Sequence, residues 1–290
     1  MTEIPGWKPG DPIRVLPFGP SKVGKTFGAG TWPRPVFMDF DRGIDTVFSP
    51  DFLKIHGYKE VQYRPFYERS FVGPIVNAHN AYDDACRYFD EMMKKKTTFD
   101  TWVIDSATTL SEDAQNKAVI LLGTKDYNYQ SKTHEQALKH NLLVPKIQDY
   151  GAERSLVEQF IDMVLSTDKN VVLICHEYEQ TDDEGNVIGV QPLLTGKSRQ
   201  AVPLRFSEVY WLRKIRQGLN WVTKCVTHAD GLHLVGSRTG VVNDVQWTYA
   251  DVRQGLTDAY EERVKQINAA KQAADKAAAA PAAPQGAKAS

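Results

Sequence analysis

The sequence has few cysteines, no long apolar run and no excess of either charge. Three cysteines in 290 residues are too few and too scattered for a disulfide framework, which predicts a reducing compartment: Cys86, Cys175 and Cys225. No stretch approaches the ~18 apolar residues that cross a bilayer, and residues 1–12 lack the apolar run of a secretory leader. We therefore expect a cytoplasmic protein with no membrane association.

The charge balance excludes a second class of protein. Lys plus Arg is 35 and Asp plus Glu is 36, giving a formal net charge of −1. A histone-like polycation is excluded, but a local basic surface on a neutral protein can still bind nucleic acid. With 42% hydrophobic and 24% charged residues, the composition is that of a soluble globular protein.

Apolar runs alternate with helical patterns along the chain. Short continuous runs predict buried strands, at residues 13–18, 36–40, 102–104, 171–174 and 209–212. The intervening segments have helical spacing, so we predict an α/β fold with a mostly parallel sheet covered by helices on both faces. After residue 212 the pattern changes to short strands that predict antiparallel pairing, followed by a last helix.

Four segments follow from this pattern. We predict an N-terminal extension at residues 1–12, a single core domain at 13–250 and a C-terminal helix at 251–268. Residues 269–290 include 12 alanines and no large apolar side chain, which predicts an extension of that helix that frays into a disordered tail.

The most specific motif is a phosphate-binding loop. Residues 19–26 match G-x-x-x-x-G-K-[ST] at every fixed position, after an apolar strand and before a helix. The loop N–H groups and the helix N-terminus favour phosphate, Lys25 can reach the β- and γ-phosphates, and the Thr26 hydroxyl can bind Mg²⁺. The predicted nucleotide-binding residues are Gly19, Pro20, Ser21, Lys22, Val23, Gly24, Lys25 and Thr26.

Three acids and a histidine are candidates for the rest of this site. Asp105 ends an apolar strand, where a P-loop site needs a carboxylate for Mg²⁺. Asp39 and Asp41 end the strand that follows the P-loop helix, and either is a candidate base that orients water. His176 ends a further strand and is a candidate sensor of the γ-phosphate.

The order of these motifs resembles the RecA-like recombinase ATPases, most closely the compact phage-encoded RecA-like proteins implicated in single-strand annealing. The resemblance is carried by GPSKVGKT (19–26), MDFDRG (38–43), TWVIDS (101–106), NVVLICHE (170–177) and FSEVYWLR (206–213). It implies a RecA-like core, ATP and Mg²⁺ as cofactors, and a ring or filament of identical subunits in a bacterial cytoplasm.

The resemblance also assigns roles. The family's catalytic Glu corresponds to Asp41 here, and its Gln sensor corresponds to His176. The shorter acid predicts slow turnover. Family members complete the site with Lys or Arg from the next subunit, for which Lys197, Arg199 and Arg238 are candidates.

Two segments are candidates for single-stranded DNA. Residues 185–207 contain no Asp or Glu but carry the cations Lys197, Arg199 and Arg205. Residues 123–146 interleave tyrosines with lysines, which suits base stacking with backbone contacts: Tyr127, Tyr129 and Lys132 are its central candidates.

These observations predict an ATPase, slow and stimulated by DNA, that acts on single-stranded DNA in annealing, recombination or repair. Partners would be single-stranded DNA, further copies of the chain and a single-strand-binding or other replication protein. Three alternatives stay open: a replication motor or loader, a non-hydrolysing ATP switch that recruits partners, and a small-molecule kinase. The kinase is disfavoured because no Arg-rich lid follows the fourth strand closely.

Overall fold

The computed structural model describes residues 6–57, 61–66, 81–95, 98–123 and 147–279. Within these ranges the strands are β1 (Arg14–Gly19), β2 (Pro35–Asp39), β3 (Gln62–Pro65), β4 (Thr101–Asp105), β5 (Asn170–Thr181), β6 (Val187–Pro192), β7 (Glu208–Gln217), β8 (Asn220–Val226), β9 (Gly236–Ser237) and β10 (Val245–Gln246). The helices are α1 (Lys25–Ala29), α2 (Pro50–His56), α3 (Ala81–Lys94), α4 (Ala107–Gly123), α5 (Ile147–Leu165), α6 (Ser198–Ala201) and α7 (Tyr249–Ala279), with 3₁₀ turns at Ile44–Phe48 and Pro203–Arg205.

One mixed sheet organises the chain, in the order β10-β8-β7-β1-β5-β4-β2-β3. All pairs from β7 to β3 are parallel, whereas β8 and β10 add antiparallel strands at the C-terminal edge. This confirms the predicted α/β core with a mostly parallel sheet, C-terminal antiparallel strands and a terminal helix. The central strands β2 and β4 are buried at every residue, as expected for strands with helices on both faces.

Alternate residues of the central strands enter two separate cores. Leu16, Met38 and Ile104 pack with residues of α3, α4 and α5 on one face. Their neighbours Val15 and Phe37 pack with residues of α1, α2 and α7 on the other. The period of two along each strand therefore places every side chain at a parallel edge on a defined face.

The terminal helix extends past the predicted domain boundary at residue 268. It runs as one element from Tyr249 to Ala279, so residues 269–279 form the helical extension that their alanine content predicts. Alanine has the highest intrinsic helix propensity, and here it extends a helix whose first turns are anchored in the core by Val252 and Leu256. Residues 280–290 lie outside the described residues.

The C-terminal strands hold the phosphate loop from the side. The Thr223 hydroxyl of β8 donates to the Val23 carbonyl at 2.6 Å, and the Trp247 indole N–H donates to the Lys25 carbonyl at 2.8 Å. The Tyr249 backbone N–H donates to Thr31 Oγ1 at 2.9 Å. Residues about 200 positions downstream therefore fix the loop and its helix.

Gly28 is required for this close packing. A Cβ added to Gly28 would lie 2.1 Å from Trp247 Cδ1 and 2.3 Å from the Trp247 carbonyl oxygen. We expect Gly28→Ala to lower the free energy of unfolding by about 1–3 kcal/mol, because the backbone must move. Gly151→Ala is the control: nothing lies within 4 Å of its added Cβ in helix α5, so that variant should gain ~0.5–1 kcal/mol. Urea denaturation measures both, and equal stability of the two variants would contradict the packing argument.

Candidate active site

The predicted site residues meet at one edge of the sheet. In the strand register Gly19 pairs with His176, and Asp39 pairs with Asp105. Asp105 in turn pairs with Ile174, two residues before His176. Because these strands are parallel, their carboxyl ends place the phosphate loop, the acids and the histidine side by side.

The phosphate loop has the backbone that its sequence predicts. Gly24, the residue before α1, has a φ of 105°, which is accessible to glycine and strained for other residues. A Cβ at Gly24 would also lie 2.7 Å from Thr223 Oγ1. The loop therefore enters helix α1 with its N–H groups arranged for phosphate and the helix N-terminus behind them.

Lys25 lies inside the loop rather than on its surface. Lys25 is only 6% exposed, and its Nζ donates to the carbonyls of Gly19 and Pro20 at 2.8 Å each. Burial lowers the pKa of Lys25, while the carboxylate of Asp105 acts in the opposite direction. The ammonium is thus directed into the loop by fixed acceptors.

Thr26 and Asp105 form the corner expected to hold Mg²⁺. The Thr26 hydroxyl donates to Asp105 Oδ2 at 2.6 Å. Burial raises the pKa of Asp105 to about 7; the Thr26 hydrogen bond lowers it, and the Asp41 charge raises it further. A buried carboxylate that gains so much from a nearby cation, beside a hydroxyl oxygen, fits a hard divalent ion.

The corner offers two protein oxygens, those of Thr26 and Asp105. In the described part of the chain, no three His, Cys, Asp or Glu side chains cluster in a way that could hold a metal ion. Mg²⁺ in nucleotide sites takes one or two protein oxygens and completes its shell with phosphate and water. Gly43 faces the corner without a side chain, since its added Cβ would lie 3.4 Å from Thr26 Oγ1 and 3.6 Å from Asp105 Oδ2.

Asp41 and His176 form a hydrogen-bonded pair next to this corner. Asp41 Oδ2 lies 2.9 Å from His176 Nε2, and the Thr109 hydroxyl donates to Asp41 Oδ1. Burial raises the pKa of Asp41, but the hydrogen bonds from His176, Thr109 and Ser106 outweigh it, so the pKa lies below its usual value. Asp41 is therefore an ionised carboxylate in a fixed orientation.

Asp39 does different work. It is 1% exposed, and its Oδ1 accepts from the Gly43 backbone N–H at 3.1 Å. The structure brings Asp41, and not Asp39, to His176. Assignment of Asp41 as the residue that orients water stays a prediction, with this geometry in its favour.

Helix α4 supplies residues that the motifs did not indicate. Thr108 Oγ1 accepts from the His176 backbone N–H at 3.1 Å and donates to the Leu193 carbonyl at 3.0 Å. Glu112 lies one turn further on, and burial together with the Asp41 charge raises its pKa. The sequence does carry a signal for these residues, the adjacent hydroxyls of Thr108 and Thr109 shortly after Ser106. That signal becomes informative only once α4 is known to face the site.

The predicted basic residues are placed differently from one another. Arg205 donates to Asp162 Oδ1 and Glu158 Oε2 at 2.8 Å each, so its charge is matched by helix α5. Its proposed role as a DNA phosphate contact stays a prediction. Arg199 lies 3.8 Å from the Tyr178 ring centroid and donates to the Leu194 carbonyl, and Arg238 donates to the Leu204 carbonyl.

Lys197 is exposed at the start of α6. Its role as a contact for DNA or for a neighbouring subunit's nucleotide stays a prediction. Tyr127, Tyr129 and Lys132 lie outside the described residues. None of the helices in the described ranges combines the length and apolar composition needed to cross a membrane.

Comparison with solved structures finds distant similarity. A KaiC-like protein from Pyrococcus horikoshii OT3 is 13% identical with a TM-score of 0.38, covering 74% of this chain and 78% of the other. The flagellar accessory protein FlaH from Methanocaldococcus jannaschii is 10% identical with a TM-score of 0.35, covering 81% and 84%. No curated protein matches the chain. Residues 11–217, which include the phosphate loop, Asp41, Asp105 and His176, match the AAA domain family, and the chain belongs to that family.

Proposed function

We propose that this protein binds and hydrolyses ATP with Mg²⁺ and uses the cycle to handle single-stranded DNA in annealing, recombination or repair. The observation that carries the ATPase part is the meeting of Lys25, Thr26 and Asp105 with the Asp41–His176 pair at one sheet edge. Membership of the AAA domain family supports the same activity.

The chain's own residues account for binding and orientation. Loop N–H groups and the Lys25 ammonium bind the phosphates, and Thr26 with Asp105 would hold Mg²⁺, which supplies charge neutralisation at the phosphates when bound. Asp41, ionised and fixed by Thr109 and His176, accepts a hydrogen bond from the attacking water. His176 joins this carboxylate to Thr108 and the chain at Leu193, so the water-orienting group is mechanically linked to the following loop.

The DNA part of the proposal is supported by the charge of one segment. The acid-free stretch 185–207 keeps exposed Lys197, while Arg205 is withdrawn into ion pairs. The proposal includes further copies of the chain in a ring or filament, in which each subunit completes the nucleotide site of its neighbour. It also includes a single-strand-binding or other replication protein as partner. All three cysteines are free, which agrees with action in a reducing cytoplasm.

Phosphate release with Mg²⁺-ATP, measured with and without oligothymidylate, tests this function. We expect slow release that oligothymidylate increases, and a fall of about 10²-fold or more in Asp41→Asn, which keeps the shape of the side chain but not its charge. Glu112→Gln is the matched control, because Glu112 senses the same charges without a hydrogen bond to His176. Loss in Glu112→Gln with normal turnover in Asp41→Asn would move the role to Glu112.

The alternatives give other outcomes in the same assay. ATP binding with no turnover under any condition would indicate the recruiting switch. Turnover that appears only with a small hydroxylic acceptor would indicate the kinase. Turnover that duplex DNA stimulates better than oligothymidylate would favour a replication motor.

A further inference from the structure

The β7–β8 hairpin projects beyond the phosphate loop. The last residue of β7 in register with β1 is Trp211, opposite Phe18, yet β7 continues to Gln217. Strand β8 returns from Asn220, and its contacts with β10 begin only at Lys224. The outer part of the hairpin therefore has no further strand beside it in the described residues.

One face of this hairpin is turned toward the phosphate loop. Thr223 marks that face, because its hydroxyl donates to the Val23 carbonyl. Lys214 pairs with Thr223 and Arg216 pairs with Trp221 in the antiparallel register, so all four residues share the face. We call Lys214, Arg216 and Trp221 the hairpin stripe.

The hairpin stripe is exposed and carries only positive charge. Trp221 is 67% exposed, and Leu219 at the tip is 90% exposed. The sequence has no Asp or Glu from residue 209 to 229. Among the described residues no ion pair involves Lys214 or Arg216, whose Nε donates to the Gly218 carbonyl at 3.2 Å. On the opposite face Arg213 is paired with Asp244 at 2.9 Å.

We propose that the hairpin stripe binds single-stranded DNA, with the Trp221 indole stacked on a base and Lys214 and Arg216 on the flanking phosphates. The proposal deepens the function above and rests on its DNA part. An indole needs an open base face, which a duplex does not offer, and stacking is tolerant of sequence. Arg216 and Trp221 lie directly opposite, with Cβ atoms about 5 Å apart, so a cation stands beside the stacking surface.

The position of the stripe would also couple DNA binding to nucleotide binding. Thr223 joins the stripe's face to Val23, and a Cβ added at Gly24 would lie 2.7 Å from Thr223 Oγ1. Movement of the loop on binding phosphate would shift the strand that carries Trp221.

Anisotropy of fluorescein-labelled oligothymidylate, titrated with the full chain and Mg²⁺-ATP, tests the stripe. We expect Trp221→Ala to weaken binding by about 10-fold or more, and Trp221→Phe to restore most of it. Lys214→Ala with Arg216→Ala should flatten the slope of log affinity against log salt by ~1.4, since each phosphate contact contributes about 0.7 on single strands. Arg213→Ala removes the same charge from the opposite face and should leave that slope near the wild-type value.

Thermal unfolding of each variant checks that the exposed substitutions leave the fold intact. Wild-type binding that the stripe variants retain would overturn the stripe and leave the proposed function standing, whereas no binding by the wild type would overturn both. Variants that lose self-association in sedimentation, but keep their DNA affinity, would assign the hairpin to a second copy of the chain instead.

Discussion

Lys25→Ala will bind ATP about 100-fold more weakly than the wild type, or not measurably. The ammonium is buried and directed into the loop by two carbonyls, so its contact with phosphate is a charge-assisted one with little competing water. Such contacts contribute about 1.5–3 kcal/mol each, and alanine also leaves the Gly19 and Pro20 carbonyls facing the phosphates. Titration with a fluorescent ATP analogue measures the change.

Lys54→Ala is the matched control for Lys25→Ala. Lys54 is an exposed lysine on α2, so the variant loses the same charge without touching the loop. Its ATP affinity should equal that of the wild type. Unchanged affinity in Lys25→Ala, with native far-UV circular dichroism, would show that residues 19–26 are not the nucleotide site.

Asp105→Asn will lower phosphate release by about 10²–10³-fold, because a neutral amide is a poor ligand for Mg²⁺. The amide is close in shape to the carboxylate and can still accept the Thr26 hydroxyl, so the corner should keep its geometry. Affinity for ATP in EDTA should therefore match the wild type. Asp168→Asn, at an 87% exposed side chain, controls for loss of one carboxylate.

The same variant should be more stable than the wild type without Mg²⁺. Burial raises the pKa of Asp105 to about 7, so ionising it in the folded protein costs on the order of 4 kcal/mol. The stability of the wild type falls as the pH rises from about 4, where the unfolded state loses this proton, to about 7, where the folded state loses it. Asp105→Asn lacks this dependence.

Urea denaturation in EDTA at several pH values measures the difference between the two proteins. Near pH 4 the two should be equally stable, and at pH 8 the variant should be the more stable. A variant less stable than the wild type at pH 8 would show that other groups of the protein already stabilise the Asp105 carboxylate. The corner would then not need a cation to offset the burial of this charge.

The site could be predicted where its chemistry is local in sequence. The phosphate loop follows from residues 19–26 alone, and Asp105 follows from its place at the end of a buried strand. Asp41 and His176 were identified separately, and parallel register brings them together, as strand ends at one edge must meet.

Other features depend on contacts that no local pattern encodes. Thr109 reaches Asp41 only because α4 turns that face toward the site. The ion pairs of Arg205 depend on Glu158 and Asp162 lying one turn apart on a helix packed beside it. The alanines at residues 269–279 predict an extension of the helix, but how far it continues depends on the first turns of α7, which are anchored in the core.

Thr223 and Trp247, whose hydrogen bonds hold the phosphate loop, lie outside the part of the chain that defines the family. The family match ends at residue 217, inside the β7–β8 hairpin and before either of these residues. A chimaera joined at residue 217 would therefore take its phosphate loop from one parent and the residues that hold this loop from the other. Its loop would keep the nucleotide motif but lose the Thr223 and Trp247 hydrogen bonds unless the second parent supplies equivalent donors.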